Sequence, residues 1–95
     1  MLITTVREFL NAIRAGKYAW PGGYPRFFIT ADGEALSFDA AVSEVWTIAR
    51  AIRDGYEKQW IVAGVDVNWE EPDMHCAHTG ARIESAYAEP EPGIE

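Results

Sequence analysis

The 95-residue chain contains a single cysteine, Cys76, so no disulfide can close within it and four thiolates cannot meet on one metal ion. No uninterrupted apolar run approaches the roughly 18 residues of a membrane-spanning helix. The opening stretch MLITTVREFL carries charge and does not read as a signal peptide, so a cytoplasmic location is expected. Bases are scarce toward the C-terminus: residues 54–95 hold two against ten acids, whereas residues 1–53 hold six against five. The formal charge of -7 is therefore concentrated in the second half. Such a surface repels phosphate backbones and has little to gain from counterion release, so direct nucleic-acid binding is not expected and basic partners are favoured. Solubility alone also accounts for an acidic surface. Phosphate-binding loops are lacking too, because Gly22-Gly23 stands in neither GxxxxGK[ST] nor GxGxxG and reads as a turn.

What is present is a chain of globular composition, 48% hydrophobic and 13% aromatic, with a length suited to one domain. Thr5 and Glu8 have capping-box spacing, and Val6, Phe9, Leu10 and Ile13 follow on one helical face, so a helix is predicted over about residues 5–15, ending at Gly16. KYAWPGGYP, residues 17–25, reads as an aromatic loop. Arg26 to Thr30, the turn Ala31-Asp32-Gly33-Glu34, and Ala35-Leu36 read as a hairpin. Ser37 precedes a second helix predicted over about 38–54, with Phe38, Val42, Val45, Ala49 and Ile52 facing inward. QWIVAGVDVNW, residues 59–69, reads as the central strand, with Ile61, Ala63, Val65 and Val67 toward the core and Trp60, Val62, Gly64, Asp66 and Asn68 on the opposite face. A short hairpin is expected from Met74 to Glu84, and residues 88–95 read as a disordered acidic tail. The expected fold is α+β, a single domain over residues 1–87 with a small antiparallel sheet of three or four strands packed with two helices.

Catalytic chemistry is not expected. Cys76 or Ser85 could serve as a nucleophile only with a positioned base, and proximity of His75 and His78 in the sequence does not align one. Asp66, Glu70, Glu71 and Asp73 could in principle share acid and base work, but without a pocket they read as a solvated rim. Trp and Tyr among polar residues make good interface anchors. Core packing is the expectation for Trp46 and Trp60, and either fate stays open for Trp20 and Trp69. The partner-binding surface is placed at Asp66, Trp69, Glu70, Glu71 and Asp73, with Trp20 and Tyr24 beside it.

The segments WPGGYPRFF, TADGEALS, VDVNWEEPD and CAHTGARIESAYAE occur in the order of GGYP, TxDG, VNWE and CxxCGxxIxSAY. On these the chain, from about residue 18 to 89, resembles small zinc-ribbon-like proteins of phage and mobile-element genomes. The resemblance implies ligand positions at 37, 40, 76 and 79, of which only Cys76 keeps a thiol; Ser37, Ala40 and Thr79 replace the others. The chain thus reads as a degenerate ribbon, with no cofactor and no metal expected. An improvised site of His75, Cys76, His78 and Asp73 is opposed by the opposite facing of adjacent residues in extended backbone. The function this implies is a phage or mobile-element accessory protein that binds and inhibits a host nucleic-acid-handling defence complex of the anti-CRISPR type. The alternative is a degenerate zinc-ribbon adaptor with a phage housekeeping role and no inhibitory activity.

Overall fold

A computed structural model describes residues 1–87 of the chain, so the acidic tail expected at 88–95 lies outside the described residues. Helix α1, Val6–Ala15, begins where the capping box placed it. The Thr5 hydroxyl accepts from the Glu8 amide at 3.1 Å, and the Glu8 carboxylate accepts from the Thr5 and Thr4 amides at 3.2 and 2.7 Å. The reciprocal bonds satisfy amides that have no partner within the helix. The aromatic segment is more ordered than a loop. Strand β1, Tyr18–Ala19, turns back on strand β2, Tyr24–Thr30, with Tyr18 opposite Pro25 and Ala19 opposite Tyr24. Its two prolines sit at the turn and at the strand entrance, where no central ladder bond is lost.

Strand β3, Ala35–Ser37, completes the expected hairpin, and strand β4, Val62–Val67, pairs antiparallel with the other side of β2. The sheet is four-stranded and antiparallel, and the fold is α+β as expected. Met1–Ile3 runs along β4, with Leu2 bridged to Gly64 and the Ile3 amide donating to the Ala63 carbonyl at 2.9 Å. Phe28 pairs with Leu36 on one side and Val65 on the other, and this row forms the floor of the core. The Phe9 ring meets Phe28 edge-on at 5.6 Å, and Phe38 stacks on it at 5.1 Å.

Three further expectations are corrected. The second helix does not run through 38–54: it divides into α2, Phe38–Ser43, and α3, Val45–Asp54, at Glu44, whose backbone leaves the helical region. Three helices, not two, therefore pack with the sheet. The break lets α2 lie on β2 and β3 while α3 turns onto α1. Val42, expected to face inward, is 48% exposed, and Trp46 is 67% exposed where core packing was expected. The strand is shorter than 59–69, because Lys58–Trp60 forms a 3-10 turn in which the Trp60 amide donates to the Glu57 carbonyl. An amide used in a turn is lost to the ladder.

The facing of β4 is the third correction. Ile29 pairs with Gly64 and Thr30 with Val62, so Ala63 is the extra residue of a bulge. A bulge shifts the alternation by one residue. Val65 faces the core as expected, but Val62, assigned to the opposite face, is almost fully buried with it, while Ile61 and Ala63 are only half-buried. Asn68, also assigned outward, is buried. The face of the sheet away from the helices is covered as well: Phe27 and Ser37 pair on that side, and the C-terminal segment beyond β4 brings Cys76 to Ser37.

Candidate functional site

The end of β4 and the segment that follows are organised by Asn68. Its side-chain amide donates to the carbonyls of Glu71, Ile83 and Glu84 at 3.0, 3.3 and 3.2 Å, and its oxygen accepts from the Glu71 amide at 3.1 Å. One buried side chain thus closes the turn 68–71 and ties it to residues 83–84, far away in sequence. The Ala86 and Tyr87 amides then donate to the carbonyls of Asn68 and Trp69, both at 2.8 Å. Arg82 adds a bond from Nε to the Pro72 carbonyl at 2.8 Å.

This scaffold assembles an aromatic cluster. Tyr24 and Trp69 meet at 4.8 Å between ring centroids, Trp69 stacks on Tyr87 at 5.9 Å and 18°, and Tyr24 and Tyr87 lie 6.0 Å apart. The Tyr87 hydroxyl donates to the Tyr24 hydroxyl at 3.4 Å, and that bond, lost on ionisation, raises the Tyr87 pKa. Trp69 is 45% and Tyr87 62% exposed, so the cluster presents ring surface to solvent. Gly22 is required beside it: at φ +114°, a Cβ there would lie 2.3 Å from the Tyr24 ring. Trp20, 77% exposed, lies over Gly23 in the same turn.

Among the residues expected to bind a partner, the fold brings Trp69 and Tyr24 together, with Glu70 and Glu71 exposed in the turn next to Trp69. Asp66 is exposed on β4, its carboxylate accepting from the Val67 amide at 2.8 Å. Asp73 is exposed, and its carbonyl contacts His75 Nδ1 at 2.7 Å. Trp20 makes no ring contact with the cluster. Tyr87 was not among the expected residues, and its only signal was its place in the SAY motif just before the acidic tail. At the edge of this surface Glu84 accepts from the Tyr18 hydroxyl at 3.0 Å; that hydrogen bond, with burial and the carboxylate's charge, raises the Tyr18 pKa.

A second constellation surrounds Cys76. The segment CAHTGAR forms a tight turn: the Gly80 amide donates to the Cys76 carbonyl and the Cys76 amide to the Ala81 carbonyl, each at 2.8 Å, with His75 bridged to Arg82. The expected hairpin is thus one bridge and a turn. Burial pushes the Cys76 thiol up, but hydrogen bonds from the backbone and hydroxyl groups of Ser37 and Thr79 outweigh it and lower its pKa from 9.0 to about 7. Both hydroxyls also accept from backbone amides, Ser37 from Ala40 at 3.1 Å as the α2 cap and Thr79 from Ala81 at 3.2 Å. Positions 37, 40 and 79 line one cleft of about 340 Å³. Three of the four positions to which the resemblance assigns ligands therefore meet at one sulfur, with the fourth beside them.

Neither imidazole contributes a hydrogen bond to the thiol. His78 packs edge-on against Trp60 at 4.7 Å, with Nε2 3.8 Å from a Glu44 oxygen, and His75 points to solvent. Among the described residues no group of three or more His, Cys, Asp and Glu side chains could hold a metal ion. No helix among them is long and apolar enough to cross a membrane. No protein-family model, curated protein or solved structure matches the chain.

Proposed function

We propose that this chain is a small binding protein without catalytic activity, which docks on a basic protein surface through Tyr24, Trp69 and Tyr87 and the carboxylates of Asp66, Glu70, Glu71 and Asp73. The observation that carries this reading is the solvent-facing Tyr24–Trp69–Tyr87 cluster next to Glu70 and Glu71. Aromatic rings anchor an interface by burying large area at little conformational cost, while carboxylates steer a basic partner and make association salt-sensitive. The biological setting proposed is the cytoplasm of a bacterial host. There the chain acts as a phage or mobile-element accessory protein that blocks a nucleic-acid-handling defence complex of the anti-CRISPR type.

Capture from host lysate tests this. Enrichment of a nuclease or surveillance complex is expected, and recovery of phage partners alone would remove the inhibitory role. The surface is tested separately with the captured complex. The joint substitution Glu70→Lys, Glu71→Lys and Asp73→Lys should abolish binding, and Trp69→Ala should weaken it by about 30-fold, equivalent to about 2 kcal/mol. A folded triple variant that binds as well as the parent would refute the assignment of the surface.

The second reading, a degenerate zinc-ribbon adaptor with a phage housekeeping role, is favoured by the gathering of Ser37, Cys76 and Thr79. It uses the aromatic segment, residues 17–25, to bind another phage protein. Its structural premise predicts that Ser37→Cys, Ala40→Cys and Thr79→Cys together create a tetrahedral thiolate site that takes up one zinc ion. A folded triple variant that binds no zinc would defeat it.

A further inference from the structure

The helical side of the molecule carries a second surface of opposite character. Val6 and Leu10 of α1 are only half-buried, and Trp46, the second residue of α3, stands largely in solvent. Val6 lies where two shallow depressions meet, one running along α1 past Leu10 and the other across α3 past Trp46 and Ala49. The rim is basic: Arg7 and Arg14 border the first depression, Arg50 and Arg53 the second. These four are half of the eight Lys and Arg residues in a chain of formal charge -7. Arg53 is paired with Asp54 at 2.8 Å, and Arg14 reaches only the neutral Asn11 oxygen at 3.5 Å. Arg7 makes no hydrogen bond or ion pair among the described residues, and the carboxylate of neighbouring Glu8 is turned onto Thr4 and Thr5.

We propose that the α1–α3 groove docks an amphipathic helix of a protein partner, with an apolar stripe for Val6, Leu10 and Trp46 and acidic residues on both flanks for Arg7, Arg14 and Arg50. Charge complementarity selects the sign of the partner, and the apolar floor selects its class. A nucleic-acid backbone would use the arginines but leave Val6 and Leu10 without a contact, and a polyanion is repelled at range by the chain's net negative charge. A short acidic helix carries few charges and fits a groove through anchors spaced at i, i+3 or i+4, and i+7. None of these residues belongs to the acidic aromatic surface, so the inference stands independently of that assignment. With both surfaces in use, the molecule bridges a basic partner and an acidic one.

The test uses the whole chain, isotope-labelled for amide NMR, and a synthetic helical peptide of about 16 residues with leucines at that spacing and glutamates on both flanks. Saturable shifts confined to the amides of residues 6–14 and 45–53 are expected. A peptide with lysine in place of glutamate should not bind. Trp46→Ala and the pair Arg7→Glu with Arg50→Glu should each weaken binding about tenfold or more, and the exposure of these side chains means the melting temperature should hold. The proposal is overturned by the absence of saturable binding, by equal binding of the lysine peptide, by tighter binding of a single-stranded oligonucleotide at the same amides, or by self-association occupying the groove.

Discussion

Residues 1–67 and residues 68–87 are held in place by different forces. The first region carries every named helix and strand among the described residues and converges on Phe28, which is fully buried between Phe9, Phe38, Leu36 and Val65. The second has no helix or strand longer than one bridge. Cys76 and Ile83 reach the hydrophobic core, and the rest of the segment is fastened by polar groups: Asn68 to four backbone atoms, Arg82 to Pro72, and the Cys76 thiol to Ser37 and Thr79. Apolar packing is non-directional and tolerates small displacements, whereas a hydrogen-bonded segment keeps its shape only while each donor and acceptor is matched. The irregular region can therefore hold two of its rings, Trp69 and Tyr87, at the surface against Tyr24 of β2.

The contrast can be broken most severely at its two centres. Phe28→Ala should cost about 4 kcal/mol and lower the whole unfolding transition in urea, because it leaves a cavity where three elements meet. Asn68→Ala should cost about 3 kcal/mol by leaving the buried Ile83 carbonyl and the part-buried Glu71 and Glu84 carbonyls without their donor. Its first effect should be local: hydrogen exchange at the Ala86 and Tyr87 amides should accelerate before exchange in β2 does. If Asn68→Ala instead lowers all protection uniformly, the two regions form one cooperative unit and the contrast fails.

A smaller effect sharpens the picture within the C-terminal region. The folded-state pKa of Cys76 is about 7 against an ordinary 9.0, so the native state releases the thiol proton first. Stability should then be greater above pH 9, fall as pH drops toward 7, and lose this contribution of about 3 kcal/mol below it. Urea unfolding from pH 6 to 9.5 would show the slope, and Cys76→Ala should remove it. A slope that persists in Cys76→Ala would assign the titration to another group.

The smallest effect belongs to the N-terminal region. Thr5→Ala removes the cap of α1 and should cost about 1 kcal/mol in thermal unfolding, while the NMR shifts of Trp69 and Tyr87 stay in place. Movement of those signals would show that the helix end and the aromatic cluster communicate.

Local chemistry made much of the first region legible in the sequence. The Thr5–Glu8 cap, the Thr30–Glu34 turn and the Ser37 cap each act over three or four residues, and each appears where the residue types placed it. The division of the second helix was not legible, because Phe38, Val42 and Val45 keep helical spacing across Glu44; what separates the two helices is that one packs on the sheet and the other on α1. The facing of Val62 was hidden for a similar reason, since alternation shows no bulge until the pairing with β2 is known. Trp69 and Tyr24 could be named from composition and context. Tyr87 could not, because its position depends on backbone bonds to Trp69.

The sequence by itself determined the α+β class, the helix caps at Thr5 and Ser37, and the uneven distribution of charge. All of these follow from residue types and their short-range spacing. Tertiary structure alone decided the exposure of Trp46, the burial of Asn68, the depressed pKa of Cys76 and the meeting of Tyr24, Trp69 and Tyr87. Burial and hydrogen-bond partnership are relations between residues distant in the chain, and a side chain acquires them only when the fold brings those residues together.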